Sequence, residues 1–185
     1  MAVIDATNLL LMLRPGTPVP VGPDGIRIDR PKERIEFLIS KMDREKTKII
    51  IPTPALSEAL VRAGPAASLQ IIEKLQKYSV FRIEPFDTRA AIEVAAMTRK
   101  ALDSGKKRGD STATWAKVKY DRQIVAIARV CGVSTIYSDD DDIATLAKGA
   151  KINTIKLRDL PLPPEKLQIE MFSPNGGPVE TKEEA

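Results

Sequence analysis

The chain has 185 residues, of which 43% are hydrophobic and 29% charged, a balance that fits one well-packed α/β domain rather than two. The absence of histidine excludes His general bases, Ser-His-Asp triads, Cys-His pairs and His-ligated zinc, and a single cysteine, Cys131, excludes an internal disulfide or a zinc knuckle. Net charge is +4, but five acids stand against two lysines from position 165 onward, so the first 164 residues carry +7 and suit a polyanionic partner as well as an ordinary solvated surface.

The N-terminus enters its first apolar run at Val3 with no basic segment or small-residue cleavage site before it. No apolar stretch reaches the roughly 18 residues a membrane span needs. The expectation is a soluble, cytoplasmic protein without membrane contact. Ala2-Val3-Ile4-Asp5 reads as a short strand ending in an acid, and Ala6 to Leu13 continues as a helix. Asp5 either caps that helix or serves a site at the strand's carboxyl end. Asn8 lies one turn beyond and is placed to support the same site.

Residues 14 to 31 hold five prolines and three glycines, a density no regular element tolerates, so they form a long loop. Arg14, Arg27, Arg30 and Lys32 are its candidates for meeting a substrate, unless the loop only connects. Ile35, Leu38, Ile39 and Met42 then mark an amphipathic helix over 33 to 44, and Lys48 to Pro52 a buried strand. Pro54 suits the first turn of the next helix, which carries Glu58 among apolar neighbours. Buried, that carboxylate needs a cation or hydrogen-bond partner; exposed, it needs nothing.

Ser68 to Tyr78 reads as a helix facing inward through Leu69, Ile72 and Leu75, and Val80 to Ile83 as a third strand. Asp87 reads as the N-cap of a helix to about Leu102, with Ile92, Ala95 and Ala96 inward. Residues 103 to 115 form a basic, glycine-containing loop. In the helix after it, Asp121 shares its face with Ile124, Val125 and Ala128, an anomalous place for a solvated charge unless it caps the helix start. Lys117, Lys119 and Arg122 fall on other faces as candidate phosphate contacts. Cys131 lies in the apolar run Ile124 to Val133 and reads as a small core residue in a reducing compartment.

The strand Val133 to Tyr137 leads directly into Ser138-Asp139-Asp140-Asp141-Asp142, four consecutive carboxylates before the helix that starts near Ile143. Carboxylates at a parallel strand's carboxyl end make a place for a divalent cation; Asp139 or Asp140 as N-cap, with the others favouring the helix dipole, is the ordinary alternative. Ile152 to Ile155 is the fifth strand. From Pro161 the chain is proline-rich and acidic, a tail distinct from the folded body. Alternation of strands and helices predicts a doubly wound parallel sheet, with Asp5, Glu58, Asp121 and the Asp139 to Asp142 cluster able to meet in one pocket.

These segments taken together resemble PIN-domain ribonucleases, and more narrowly the VapC-like toxins of type II toxin-antitoxin systems. The resemblance rests on Val3-Ile4-Asp5-Ala6-Thr7-Asn8-Leu9-Leu10, on Pro52 to Glu58, on Asp121 to Ala128 and on Tyr137 to Ile143, in that order over residues 1 to about 157. It implies a three-layer α/β/α sandwich around a parallel five-stranded sheet: a nuclease domain over 1–158, with the loop 14–31 as an addition, followed by a tail over 159–185. The implied activity is metal-dependent endoribonuclease, with Mg2+ or Mn2+ held by Asp5, Asp121, Asp140 and Asp142. Asp5, Glu58, Asp121 and Asp140 are the implied catalytic set, supported by Asn8, Ser138 and Asp139. Lys106, Lys107, Arg108, Lys119 and Arg122 are candidates for contacting RNA, and the partners implied are an RNA substrate, a cognate antitoxin and a second copy of the chain.

The departures bear on the role. Ile143 replaces an aromatic usual in the family, and Asp139 and Asp141 are extra acids that let the cluster's register slide by one. The loop 14–31 and the tail lengthen the chain beyond a typical toxin, so an RNA-binding or RNA-processing protein of the same fold, without toxin role or catalysis, stands beside the nuclease reading. A receiver-like phosphoacceptor domain fits poorly, because acids early in two separate helices have no place in it.

Overall fold

The computed structural model describes residues 1–14, 16–22, 25–109 and 111–164. Five short strands, β1 (Ala2–Ile4), β2 (Ile49–Pro52), β3 (Phe81–Glu84), β4 (Thr135–Tyr137) and β5 (Asn153–Ile155), pair in parallel in the order β3-β2-β1-β4-β5. Seven helices accompany them among the described residues: α1 (Ala6–Leu13), α2 (Pro31–Arg44), α3 (Thr53–Ala63), α4 (Pro65–Lys77), α5 (Thr88–Asp103), α6 (Trp115–Val130) and α7 (Asp141–Gly149). A single 3-10 turn, Leu157–Asp159, follows β5.

The helix starts follow from local chemistry. α2, α3 and α4 each open with proline in the first turn, where its missing N–H costs nothing. Asp5, Asp87, Thr114 and Asp140 cap α1, α5, α6 and α7 by accepting backbone N–H groups, each cap contributing about 1 kcal/mol. The central strands β1, β2 and β4 are apolar because both faces are covered: Val3, Ile4, Ile49, Ile50, Ile51 and Ile136 are fully buried. Right-handed crossovers on this strand order put α1–α4 on one face and α5–α7 on the other. Helix packing agrees, with most helix contacts falling within α1–α4 (α1 with α2 and α3, α3 with α4) and within α5–α7 (α6 with α5 and α7).

Two helices face inward differently from expectation. α4 buries Ile71 and Leu75 and turns Leu69 to solvent, 74% exposed. α5 buries Ala90 and packs Val94 and Met97 on the core, leaving Ile92 64% exposed and Ala95 and Ala96 exposed with it. Alanine-rich helices carry apolar residues on more than one face, so periodicity alone did not choose the side. Cys131 is half-buried at the end of α6 rather than deep in the core.

The loop after α1 folds back through an antiparallel bridge between Val21 and Arg27. Its cations pair locally, Arg30 with Asp29 and Glu33, and Lys32 with Glu36 as α2 begins. No helix of the described residues is long and apolar enough to cross a membrane. Leu160 packs on the core and its carbonyl accepts from Arg34; of the tail expected over 159–185, the part from 165 onward lies outside the described residues.

Candidate active site

The strand order makes β1 and β4 neighbours whose chains leave in opposite senses, β1 into α1 and β4 into α7, and such a switch point opens a crevice at the carboxyl ends of the strands. Ile4 pairs with Tyr137, and the Asp5 N–H continues the ladder by donating to the Tyr137 carbonyl. That register sets Asp5 directly beside Ser138. Ser138 is fully buried; its Oγ donates to Asp5 Oδ2 at 2.6 Å and accepts from the Asp140 N–H at 3.1 Å. Asp5 Oδ1 accepts from the Asn8 N–H at 2.8 Å. Burial pushes the Asp5 carboxyl up to about 7, against the lowering effect of those two hydrogen bonds.

Asp121 comes from the second turn of α6, whose buried stripe includes Val118, Ile124, Val125 and Ala128. It is not a cap. Its side chain is carried inward with the stripe, and burial raises its pKa to about 6 although Lys117 favours the charged form. Asp140 uses Oδ1 to cap α7 through the Asp142 and Ile143 N–H groups, leaving Oδ2 to pair with Lys117 on the side of Asp121. Asp142 follows in the first turn. One carboxylate oxygen from each of Asp121, Asp140 and Asp142 lies within 4.8 Å of the others.

At the middle of this group sits an ammonium. Lys117 Nζ is 2.7 Å from Asp140, 2.9 Å from Asp121 and 3.2 Å from Asp142. Burial alone would weaken this ammonium, but the hydrogen bonds to Asp140 and Asp121 outweigh it and hold its pKa above the ordinary lysine value. Lys117 therefore turns toward the acids, not toward solvent as expected. The signal was present in the sequence: position i−4 from Asp121 lies on nearly the same face of the helix.

Asp5, Glu58, Asp121, Asp139 and Asp140 all line one cleft of about 690 Å³, together with Lys117, Arg62 and Tyr120. Pro18, Val19 and Pro20 form part of its wall, so the long loop reaches the cleft through apolar residues and not through its arginines. Glu58 is on the exposed side, 50% accessible and 3.6 Å from Arg62, outside the close triad. Asp139 accepts from the Leu157 N–H and so ties β4 to the turn after β5; burial raises its pKa. Asp141 is exposed and pairs with Lys156 at 2.8 Å. The Asn8 side chain is buried and finds no hydrogen-bond partner among the described residues.

The basic candidates divide. Lys119 is exposed on α6. Arg108 donates to the Ala113 carbonyl and lines a smaller cleft with Ser111, Asp141 and Asp142. Lys106 is exposed in the same loop, and the Lys107 ammonium lies 4.4 Å over the Trp115 ring. Arg122 is not a surface cation: it is 2% exposed, donates to the Lys107 carbonyl and Thr98 Oγ1, and stacks on the other contact of Trp115 at 5.3 Å. Its two terminal nitrogens are taken by these acceptors, and its Nε is buried without a hydrogen-bond partner among the described residues, away from any surface a phosphate reaches.

The fold and this crevice define a PIN-like α/β protein with an acidic centre at its switch point. Among solved structures it is similar to a chain of the DNA-bound VapBC crystal structure from Salmonella typhimurium, at 13% identity and a TM-score of 0.52, covering 84% of this chain and 97% of that one. No family model matches the sequence, and no curated protein does.

Proposed function

We propose that this chain is a metal-dependent endoribonuclease that hydrolyses RNA phosphodiester bonds, acting as the toxin of a two-protein pair. The observation that carries the reading is the gathering of oxygens from Asp121, Asp140 and Asp142 within 4.8 Å at the switch point. The similarity to a chain of a VapBC complex supports both the fold and a cognate antitoxin as partner. The +7 charge of the first 164 residues supports a polyanionic substrate.

The donor set fits a hard divalent cation, since it offers only carboxylate oxygens and already holds one positive charge, Lys117 Nζ, among them. Asp121, Asp140 and Asp142 would hold Mg2+ or Mn2+, with Asp5 adjoining. Bound there, such an ion supplies Lewis-acid activation of water and charge stabilisation at phosphorus. Hydrolysis forms one P–O bond from water and breaks one P–O bond to a ribose oxygen, and the proton of the attacking water needs an acceptor. Asp5, buried beside the three acids at the end of β1, would take that proton without histidine. Glu58 and Arg62 on the cleft wall orient water and a phosphate oxygen; Lys106, Lys107, Arg108 and Lys119 draw the RNA backbone to the loop beside the cleft.

One observation favours a second reading. Lys117 already neutralises part of the acidic group, as suits an RNA-binding or RNA-processing protein of the same fold that has no catalysis. Purified full-length protein incubated with a structured RNA separates the two. The nuclease reading expects cleavage with Mg2+ or Mn2+, none in EDTA, and a loss on the order of 100-fold, about 2.7 kcal/mol of barrier, in Asp121→Asn. RNA binding without metal-dependent cleavage rejects it.

A further inference from the structure

We propose that Lys117 is a resident counter-ion that a divalent cation must displace, so that this one side chain sets how tightly the acidic centre binds metal. The proposal rests on reading that centre as a metal site. An ordinary helical ion pair joins one lysine to one acid a turn away on the same helix. Lys117 does this with Asp121, but it also crosses to α7 and meets Asp140 at 2.7 Å and Asp142 at 3.2 Å. An ammonium has three N–H groups, and here they face three carboxylates.

The three carboxylates it joins are mostly covered, at 7%, 29% and 28% side-chain exposure, while Lys117 itself is 41% exposed. Three like charges within 4.8 Å repel, and the ammonium relieves that repulsion when no other cation is present. The oxygens that hold it are the ones a metal would need. Lys117 lines the open cleft and carries its charge on a flexible four-carbon stem, so it can leave by rotating its side chain, with no backbone change. Lys117 is thus a positioning residue for the metal-free centre and a competitor for the loaded one.

The test is Mn2+ titration by calorimetry on full-length wild type, Lys117→Met, Lys117→Gln and Lys117→Arg, with melting temperatures taken with and without Mn2+. Expected is Mn2+ binding at least about tenfold tighter in Lys117→Met and Lys117→Gln, equivalent to about 1.4 kcal/mol. Lys117→Arg, which keeps a cation in place, stays near wild type. Metal-free Lys117→Met melts below wild type, and its melting temperature rises more on adding Mn2+. Unchanged or weaker Mn2+ binding in both neutral variants overturns the proposal. Absence of Mn2+ binding in every protein overturns it together with the metal-site reading. Tighter Mn2+ binding in variants whose wild type cleaves no RNA upholds the role of Lys117 and defeats only the nuclease assignment.

Discussion

Ser138 Oγ donates to Asp5 Oδ2 at 2.6 Å, a buried contact between residues 133 positions apart that locks the ends of β1 and β4 together under the acidic centre. Ser138→Ala removes this bond and the acceptor for the Asp140 N–H, leaving a buried carboxylate oxygen and a half-buried N–H unsatisfied. A loss of roughly 1 to 3 kcal/mol in urea unfolding is expected. Because the hydroxyl lowers the Asp5 pKa, its removal also moves that carboxyl further up, visible by carboxyl-carbon NMR titration. An unchanged Asp5 titration contradicts the contact.

The raised pKa of Asp5 gives stability a defined pH dependence. Below about 3.8, its unfolded value, both states carry the proton; between 3.8 and about 7 only the folded state does, so metal-free stability falls as pH rises through that window. Asp121 adds the same trend up to about 6. Asp5→Asn therefore matches wild type near pH 3.5, below both values, and exceeds it near pH 8, by on the order of a few kcal/mol at 1.36 kcal/mol per unit. Metal binding needs the ionised carboxylates, so Mn2+ affinity drops below about pH 6. Chemical denaturation of both proteins at the two pH values checks the first point, and equal curves at pH 8 refute it.

The four consecutive acids have separable roles. Asp140→Asn is expected to abolish cleavage, because Oδ2 faces Asp121 and Lys117. Asp139→Asn keeps an acceptor for the Leu157 N–H, so it is near neutral for stability and leaves cleavage largely intact. Asp141→Asn is neutral, since this side chain is exposed and only pairs with Lys156. Cleavage rates and melting temperatures of the three variants assign the register; loss of cleavage in Asp139→Asn alone would move it by one.

Arg122→Met is expected to cost about 2 to 4 kcal/mol, because the buried guanidinium holds Thr98, the Lys107 carbonyl and the Trp115 ring at once. Lys119→Ala is near neutral for stability. RNA-filter binding on both, alongside melting, distinguishes a packing role from a phosphate contact: a weakened affinity at normal stability in Arg122→Met would contradict the burial.

How much of this was legible in the sequence depends on whether a local rule decided it. Most of the strands and helices follow from β-branched runs, prolines in first turns and Asp or Thr caps, which act within a few residues. Asp5 and Asp140 invited two readings, cap or site; in the structure each caps its helix through one oxygen, while the other meets Ser138 in Asp5 and Lys117 in Asp140. The inward turn of Asp121 followed from its apolar stripe. The Asp121 partner of Lys117 was legible at i+4, but its α7 acids and the loop carbonyl that holds Arg122 are distant in sequence, and only the closing of the loop onto α6 decides which cations are covered. Glu58 was ambiguous for the same reason, its exposure being set by how α3 borders the cleft.

The central claim is that three carboxylates from two helices share one ion, and anomalous diffraction at the manganese edge from crystals grown with Mn2+ tests it most directly. A peak bridging Asp121, Asp140 and Asp142, with Lys117 turned out into the cleft, is the predicted result. A map without a peak there, with Lys117 still in contact with all three acids at saturating Mn2+, would contradict it.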